Sequence, residues 1–371
     1  MEMSERKPFK LGSVVELKYG KDHKHIPDGT IPIYGSGGLM RFGNRVLYDE
    51  ESILIPRKGT LNNIMYKREP FWTVDTMFYT KINTRLVFPK YLYYHLTTID
   101  YNNLNVGSAV PSLTVQVLND IDIILPPIDE QTAIAEVLSS IDDKINLLYS
   151  NTKSLETMAE VIFRQWFVED AENLSNKQLT MSDIIDSVSL TYKFNSETAV
   201  FLNTSDIYKG EVLVHSLRDA STLPGQAKKS IAKGDILFSE IRPANGRWAY
   251  IDFDSANYVV STKLMVLRLK GEIDSSFVYF YLTHPKTVEY LQMLAESRSG
   301  TFPQITYDQI KGLKVNIPSD QILTETIEWC KSAITKICFN YRQLRKLEKL
   351  KAVLLPKLLS GELKINEFAE V

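Results

Sequence analysis

Residues Leu125–Phe167 read LPPIDEQTAIAEVLSSIDDKINLLYSNTKSLETMAEVIFRQWF. Two prolines open the stretch, and about forty residues then pass with neither Pro nor Gly. Apolar or small side chains recur at Ile134, Val137, Ile141, Ile145, Leu148, Leu155, Ala159, Ile162 and Trp166, with Thr152 filling one gap. The steps alternate between three and four, which is a heptad seam on a single long helix. Pro126 and Pro127 set the earliest start, and Asp129 is the expected N-cap.

A second stretch of the same kind runs from Asp320 to Lys357, with Pro356 as its one proline and no glycine. Its seam is Leu323, Ile327, Cys330, Ile334, Ile337, Tyr341, Leu344 and Leu347. Each helix spans roughly 55 Å at 1.5 Å per residue. A heptad seam needs a partner seam, and the chain supplies two. Acids crowd the start of the first helix (Asp129, Glu130, Glu136, Asp142, Asp143), and bases crowd the end of the second (Arg342, Arg345, Lys346, Lys349, Lys351, Lys357). An antiparallel pair sets one against the other. Each exposed ion pair is worth only about 0–1 kcal/mol, so the orientation rests on their sum. The bland alternative is two solvated faces of different sign.

The segments leading into the two helices resemble each other. GSAVPSLTVQVLNDIDIILPP ends at Pro127 and SGTFPQITYDQIKGLKVNIPS at Ser319. With a shift of 192, Pro111, Thr114 and Pro126 meet Pro303, Thr306 and Pro318. Both segments close in an alternating run, IDIIL and LKVNI, that reads as a half-buried strand. Further upstream, RKGTL at 57–61 is matched with AKGDI at 232–236, and TVDTM at 73–77 with VVSTK at 259–263. The chain reads as a duplication, a globular unit followed by a long helix and then the same again. The expected fold class is α+β: two similar mixed α/β units separated by two long antiparallel helices that form a coiled-coil spacer, with pseudo-two-fold symmetry. The expected boundaries are 1–128 for the first unit, 129–169 for the central helix, 170–319 for the second unit and 320–371 for the C-terminal helix and tail. A stiff spacer holding two similar readers suits a long, regular ligand, and duplex DNA is the obvious one.

Composition limits the alternatives. The chain has 371 residues, 44% of them hydrophobic, and a net charge of −2. Residues 1–125 hold 15 Lys and Arg against 13 Asp and Glu, and residues 170–318 hold 16 against 17. Neither segment has the positive excess of a non-specific DNA binder. DNA binding therefore needs cations clustered by the fold, or charge from a partner. MEMSERKPFK lacks the apolar core of a signal peptide, no run reaches the roughly 20 residues of a membrane span, and the two cysteines sit on one helix. These features set a cytoplasmic expectation.

At this point the sequence resembles the specificity (S) subunit of type I restriction–modification enzymes. The resemblance is carried by LPPIDEQTAIAEVLSSIDDKI at 125–145, TMAEVIFRQWF at 157–167 and LLPKLLSGELKI at 354–365, and it covers nearly the whole chain. YGSGGLM at 34–40 and ILIPRKGT at 53–60 resemble one common type of target recognition domain. SDQILTETI at 319–327 departs from the family by lacking its PLPPLEEQ-like helix start. The resemblance implies that each unit is a target recognition domain reading half of a bipartite site in double-stranded DNA. It implies that the helix pair sets the spacer and docks two modification (methyltransferase) subunits, with restriction (translocase and nuclease) subunits joining them. It implies no catalysis and no cofactor in this chain; S-adenosylmethionine, ATP and magnesium belong to the partners. No membrane partner is expected. A dimeric protein-binding scaffold with a coiled-coil spacer is the alternative, and an enzyme whose site is built from several loops is a further rival.

Catalytic motifs are missing from the sequence: no Asn/Asp-Pro-Pro-aromatic run, no GxxxxGK[ST], no HExxH and no CxxC. YGSGG at 34–38 reads as a tight turn, and His23 and His25 as members of an exposed loop. For base reading, Arg and Lys suit guanine, and Asn and Gln suit adenine. The candidates in turn-rich stretches are Arg41, Arg45, Arg57, Lys58, Asn62, Asn63 and Lys67 in the first unit. In the second they are Gln226, Lys228, Lys229, Arg242, Asn245 and Arg247, beside Trp248. Any one of them is equally readable as an ordinary surface side chain, and the clusters carry more weight than their members.

Overall fold

The structure is a computed structural model and describes residues 6–107, 110–165, 177–271 and 273–365. The chain divides into two compact units, one of Met1–Ile145 with Lys346–Val371 and one of Asn146–Arg345. Both long helices are shared between the units, so each unit carries its own stretch of helix pair.

In the first unit, β1 (Lys7–Lys10) runs into a single helical turn, α1 (Leu11–Val14), and then β2 (Val15–Tyr19). β3 (Ile31–Gly35) and β4 (Gly38–Gly43) form a hairpin whose two-residue tip is Ser36-Gly37, with Gly38 at φ +112°. The tight turn expected at YGSGG is this tip. β5 (Ser52–Pro56), β6 (Met65–Lys67), β7 (Trp72–Thr73) and β8 (Met77–Ile82) complete two sheets, ordered β2-β8-β5-β6 and β4-β3-β7. β3 and β7 pair in parallel. Every residue of β5 is buried. The alternation of a strand explains how: Ile53 and Ile55 enter the core shared with the helices, and Leu54 enters the core beneath the β3–β4 hairpin. α2 (Pro89–Thr97), α3 (Val115–Asn119) and β9 (Asp122–Leu125) follow, and β9 pairs antiparallel with β1.

The second unit repeats this order. β10 (Lys177–Thr180), α5 (Met181–Ile184) and β11 (Ile185–Val188) correspond to β1, α1 and β2. Next come β12 (Thr198–Leu202), β13 (Ile207–Tyr208), β14 (Glu211–Val212), β15 (Arg218–Asp219) and β16 (Ala227–Ser230). They are followed by β17 (Ile236–Ser239), β18 (Trp248–Tyr250), β19 (Tyr258–Ser261) and β20 (Leu264–Leu269). The sheet β11-β20-β17-β18 matches β2-β8-β5-β6, and the parallel pair β12–β19 matches β3–β7. β17 alternates as β5 does, with Ile236 and Phe238 toward the helices and Leu237 toward the outer core. After α6 (Ser275–Thr283) the second unit adds α7 (Pro285–Arg298), and α8 (Tyr307–Lys311) and β21 (Lys314–Ile317) then correspond to α3 and β9. Thr114 and Thr306 are the N-caps of α3 and α8, which accounts for the shift of 192 in the sequence.

Strand pairing places TVDTM and VVSTK in the same link, from the parallel strand to the next antiparallel one, but one residue out of step, because Thr76 takes the place of Lys263. It corrects the match of RKGTL with AKGDI. Arg57 N donates to Thr76 O and Glu240 N to Lys263 O; Leu113 N donates to Arg57 O and Ile305 N to Glu240 O. The counterpart of Arg57-Lys58-Gly59 is therefore Glu240-Ile241-Arg242, after β17, whereas AKGDI is the turn before it.

α4 (Ile128–Arg164) and α9 (Asp320–Ser360) are about 56 and 62 Å long. α4 starts at Ile128, one residue earlier than expected, so Asp129 lies in the first turn and is not the N-cap. Pro127 precedes it and its carbonyl accepts from Gln131 N. Gln131 of the IDEQ stretch is buried and fully used: Nε2 donates to Pro126 O at 2.8 Å, and Oε1 accepts from Phe88 N at 2.8 Å. It ties the helix start to the start of α2. The buried line passes through Ile134, Leu138, Ile141, Leu148, Thr152, Ala159 and Phe163. Leu138 and Phe163 thus take the seam places assigned to Val137 and Ile162, which are half-buried, and Trp166 lies outside the described residues.

The helices pair antiparallel. Asp142 meets Lys351 at 2.5 Å, and Thr152 meets Asn340 at 3.1 Å, so ten residues up one helix is eleven down the other. Charge contributes less to this than the sequence pattern implies. Arg342 and Arg345 turn from α4 to Asp252 and Glu211 of the second unit. Pro356 falls in the last turns of α9, where it deprives the Ala352 carbonyl of its helical donor close to the helix end. Gly361 at φ +80° ends that helix, and Arg6 donates to Leu358 O and Leu359 O while its guanidinium also meets Glu130. Arg6 so joins the end of α9 to the start of α4 within the first unit. Cys330 and Cys338 are buried free thiols, and burial pushes Cys338 up to about 12. Among the described residues, no helix is long and apolar enough to cross a membrane.

Candidate nucleic-acid interface

In each unit three segments converge on one backbone position. In the first unit they are the loop after β5, the β7–β8 turn, and the segment leading to α3. Arg57 and Lys58 N donate to Thr76 O, and Gly59 N donates to Pro111 O at 3.2 Å. Gly59 has φ +91°, and a Cβ there would sit 2.9 Å from Ser36 Oγ. The hairpin tip joins the same neighbourhood, because Asn63 Nδ2 donates to Ser36 O at 2.8 Å and Lys67 Nζ lies 3.9 Å from the centre of the Tyr34 ring.

In the second unit, Glu240 N donates to Lys263 O and Arg242 N to Pro303 O. The β19–β20 turn separates two basic segments and holds both. Gln226 O accepts from Thr262 N, and Lys229 Nζ donates to Thr262 O and Leu264 O at 3.0 and 2.9 Å. Lys263 pairs with Glu240 at 3.6 Å on the other side.

The candidate residues separate into two sets. Some are committed to the fold. Arg41 donates to His23 O and Ile26 O at 2.6 and 2.8 Å and meets Asp28, so it closes the loop of residues 22–28. Asn62 Oδ1 accepts from Tyr101 N, and Gln226 Oε1 accepts from Ser261 Oγ at 3.4 Å. Arg247 Nη1 donates to Ser205 O and Ile207 O. Burial pushes the Lys229 ammonium below its ordinary pKa, with Glu240 opposing that shift. Arg57 lies between the sets: its guanidinium stands 5.5 Å over the Tyr19 ring, and its Nε is buried without a partner. The other set is available. Arg45, Lys58, Lys228, Arg242 and Asn245 are exposed, and no side-chain hydrogen bond or ion pair is formed by them among the described residues.

Sequence reasoning missed Tyr19, Tyr34, Tyr208 and Lys209, all placed beside the candidates. Tyr208 carries two cations near its ring, the Arg247 guanidinium at 5.3 Å and Lys209 Nζ at 5.5 Å. The one signal in the sequence is Lys209-Gly210, a basic residue at a turn. Among the described residues no group of three or more His, Cys, Asp or Glu side chains is placed to hold a metal ion. His23 and His25 lie in a loop, as the sequence suggests.

The model of the type I restriction modification DNA specificity domain matches residues 3–157 and again 193–352. The chain belongs to this family. Each specificity-domain match takes in one globular part and much of the helix that follows it, which is the repeat read from the sequence. The specificity subunit of the type I restriction enzyme HindI from Haemophilus influenzae is 42% identical over 176 residues, 47% of this chain and 38% of that protein. The MjaIX specificity subunit from Methanocaldococcus jannaschii is 23% identical over 353 residues, 86% of this chain and 79% of that one. A solved type I restriction–modification S subunit from M. genitalium has the same fold, with TM-score 0.70, 16% identity, and coverage of 95% of this chain and 96% of that one.

Proposed function

We propose that this specificity-domain chain is the DNA-recognition subunit of a type I restriction–modification enzyme, each unit reading one half of a bipartite site. The observation that carries this reading is the repeated convergence. Twice in one chain a loop, a turn and the segment before a long helix are hydrogen-bonded around one position, with exposed cations and amides on the loop. Free cations position a protein on phosphates, and free Arg and Asn read base edges. The helix pair then sets the spacer and offers the dock for two modification subunits, with restriction subunits completing the assembly. The chain itself performs no chemistry. S-adenosylmethionine, ATP and magnesium act on the partners, and the complex works in the cytoplasm. The family membership and the likeness to named specificity subunits support this.

The near-neutral charge fits a subunit that grips DNA only with partners around it. The isolated chain is expected to bind duplex weakly and to gain a protected site with its modification subunit. The decisive experiment is co-expression with that subunit and mapping of adenine methylation. A bipartite motif is expected, and exchange of residues 1–125 with those of a relative changes one half of it. A complex that neither methylates nor protects a bipartite site would favour a protein-binding scaffold. Methyl transfer by the purified chain alone would restore the enzyme reading.

A further inference from the structure

Among the described residues two that are not glycine have a positive φ, Lys209 and Arg242, both at +42°. The left-handed region crowds Cβ against the backbone, and glycine avoids that cost. The first unit uses glycine at the corresponding place: Gly59 N donates to Pro111 O as Arg242 N donates to Pro303 O. A glycine is therefore compatible with this junction, and the second unit nevertheless holds an arginine there. The two left-handed residues also belong to one structure. Lys209 N donates to Gly246 O at 2.7 Å and Gly210 N to Trp248 O at 2.9 Å, which docks the β13–β14 turn on the loop that begins at Arg242.

We propose that Lys209 and Arg242 contact the duplex at the half-site read by the second unit, and that Tyr208 and Arg247 position them. This rests on the DNA-recognition reading above. Outliers of this kind persist where surrounding structure enforces them, and they gather where a side chain is needed in one place. The enforcing contacts are present. Arg247 clamps Ser205 O and Ile207 O and stacks on Tyr208, and Lys209 covers the same ring. Arg242 keeps all its guanidinium donors free, with the free amide of Asn245 three residues on. Three of the nearby acids are engaged elsewhere, Glu211 by Arg345, Glu156 by Tyr341 and Glu296 by Gln292, while Glu160 and Glu289 line the same cavity as Lys209. The result is three cations on a fixed turn pair, two of them in conformations the local backbone disfavours.

The test uses the full chain assembled with its modification subunit. Arg242→Gly and Lys209→Gly each relieve the backbone, so the melting temperature of the chain is expected to stay level or rise. Affinity for the cognate duplex is expected to fall about tenfold per variant, a typical loss for one specific contact. The slope of log affinity against log salt is expected to flatten by about one per phosphate-contacting cation removed. Affinity within twofold of the unsubstituted complex would overturn the proposal. So would a loss of affinity accompanied by a fall in melting temperature, which would make these residues supports of the fold. A complex without substitutions that protects no bipartite site would remove the DNA-recognition reading itself. A complex that binds normally with and without Arg242→Gly would remove only this inference.

Discussion

Replacing Thr152 with valine isolates a polar contact between two buried side chains of the helix pair. Asn340 is fully buried and Thr152 is 4% exposed. Asn340 Nδ2 donates to Thr152 Oγ1 at 3.1 Å, and Asn340 Oδ1 already lacks a partner. Valine keeps the shape and deletes the hydroxyl, so the amide nitrogen joins the oxygen in being buried and unpaired. Stranding one such group costs about 1–3 kcal/mol. For a unit of some 200 residues, each kcal/mol moves the melting temperature by roughly 2–4 °C, so a fall of about 2–12 °C is expected. Adding Asn340→Leu removes the stranded amide and makes the seam apolar, and the double variant should recover the original stability or exceed it. The assay is a thermal double-mutant cycle, with an expected coupling of about 1–3 kcal/mol. A Thr152→Val variant that melts with the parent would refute the reasoning, as would a double variant whose losses simply add. Retaining a pair with an unpaired oxygen here is consistent with a role in fixing register, as single polar seam residues do in coiled coils.

Burial raises the Glu156 carboxyl above its ordinary pKa, so its ionised form is disfavoured in the folded state. That penalty is absent below the unfolded value, where both states are protonated, and it develops as pH rises through the raised folded value. Glu156→Gln is therefore expected to melt higher than the parent at pH 7 and level with it at pH 4, in paired melting curves. Arg6→Ala loses the Glu130 pair and the two carbonyls at the end of α9, and charged hydrogen bonds of this kind are worth about 1.5–3 kcal/mol each at most. Limited proteolysis should show faster cutting near Leu359, with the second unit still protected. Lys229→Met removes two internal donors and should lower the melting temperature without selectively weakening either half-site, as read by methylation mapping.

The long helices were legible because a heptad repeats over many turns, and two misplaced steps, Val137 for Leu138 and Ile162 for Phe163, do not hide the period. The duplication was legible where chain and strand agree, from Thr114 and Thr306 through to the helix starts. It failed at RKGTL because a Lys-Gly turn serves equally well at either end of a strand, and local turn chemistry cannot tell which. The site was legible only in part. Arg41, Lys229 and Arg247 have the composition of surface readers, yet their donors are consumed by main-chain carbonyls far away in sequence. Arg242 was picked for its charge, but its equivalence to Gly59 is invisible without the hydrogen bonds that define it. Tyr208 and Lys209 carried almost no signal, one closing a two-residue strand and the other in the turn after it, with no basic run around them.

The first unit is closed by Leu354 and Leu358, which cover Ile134, Leu138 and Ile141. In translation those two halves emerge some two hundred residues apart, an interval of roughly 10–40 s at 5–20 residues per second. The second unit, though coded inside the first, has all its parts sooner. The unit made first is thus the one finished last, and a ribosome that stalls late leaves its apolar helix face uncovered, a form for chaperones and proteases to sort.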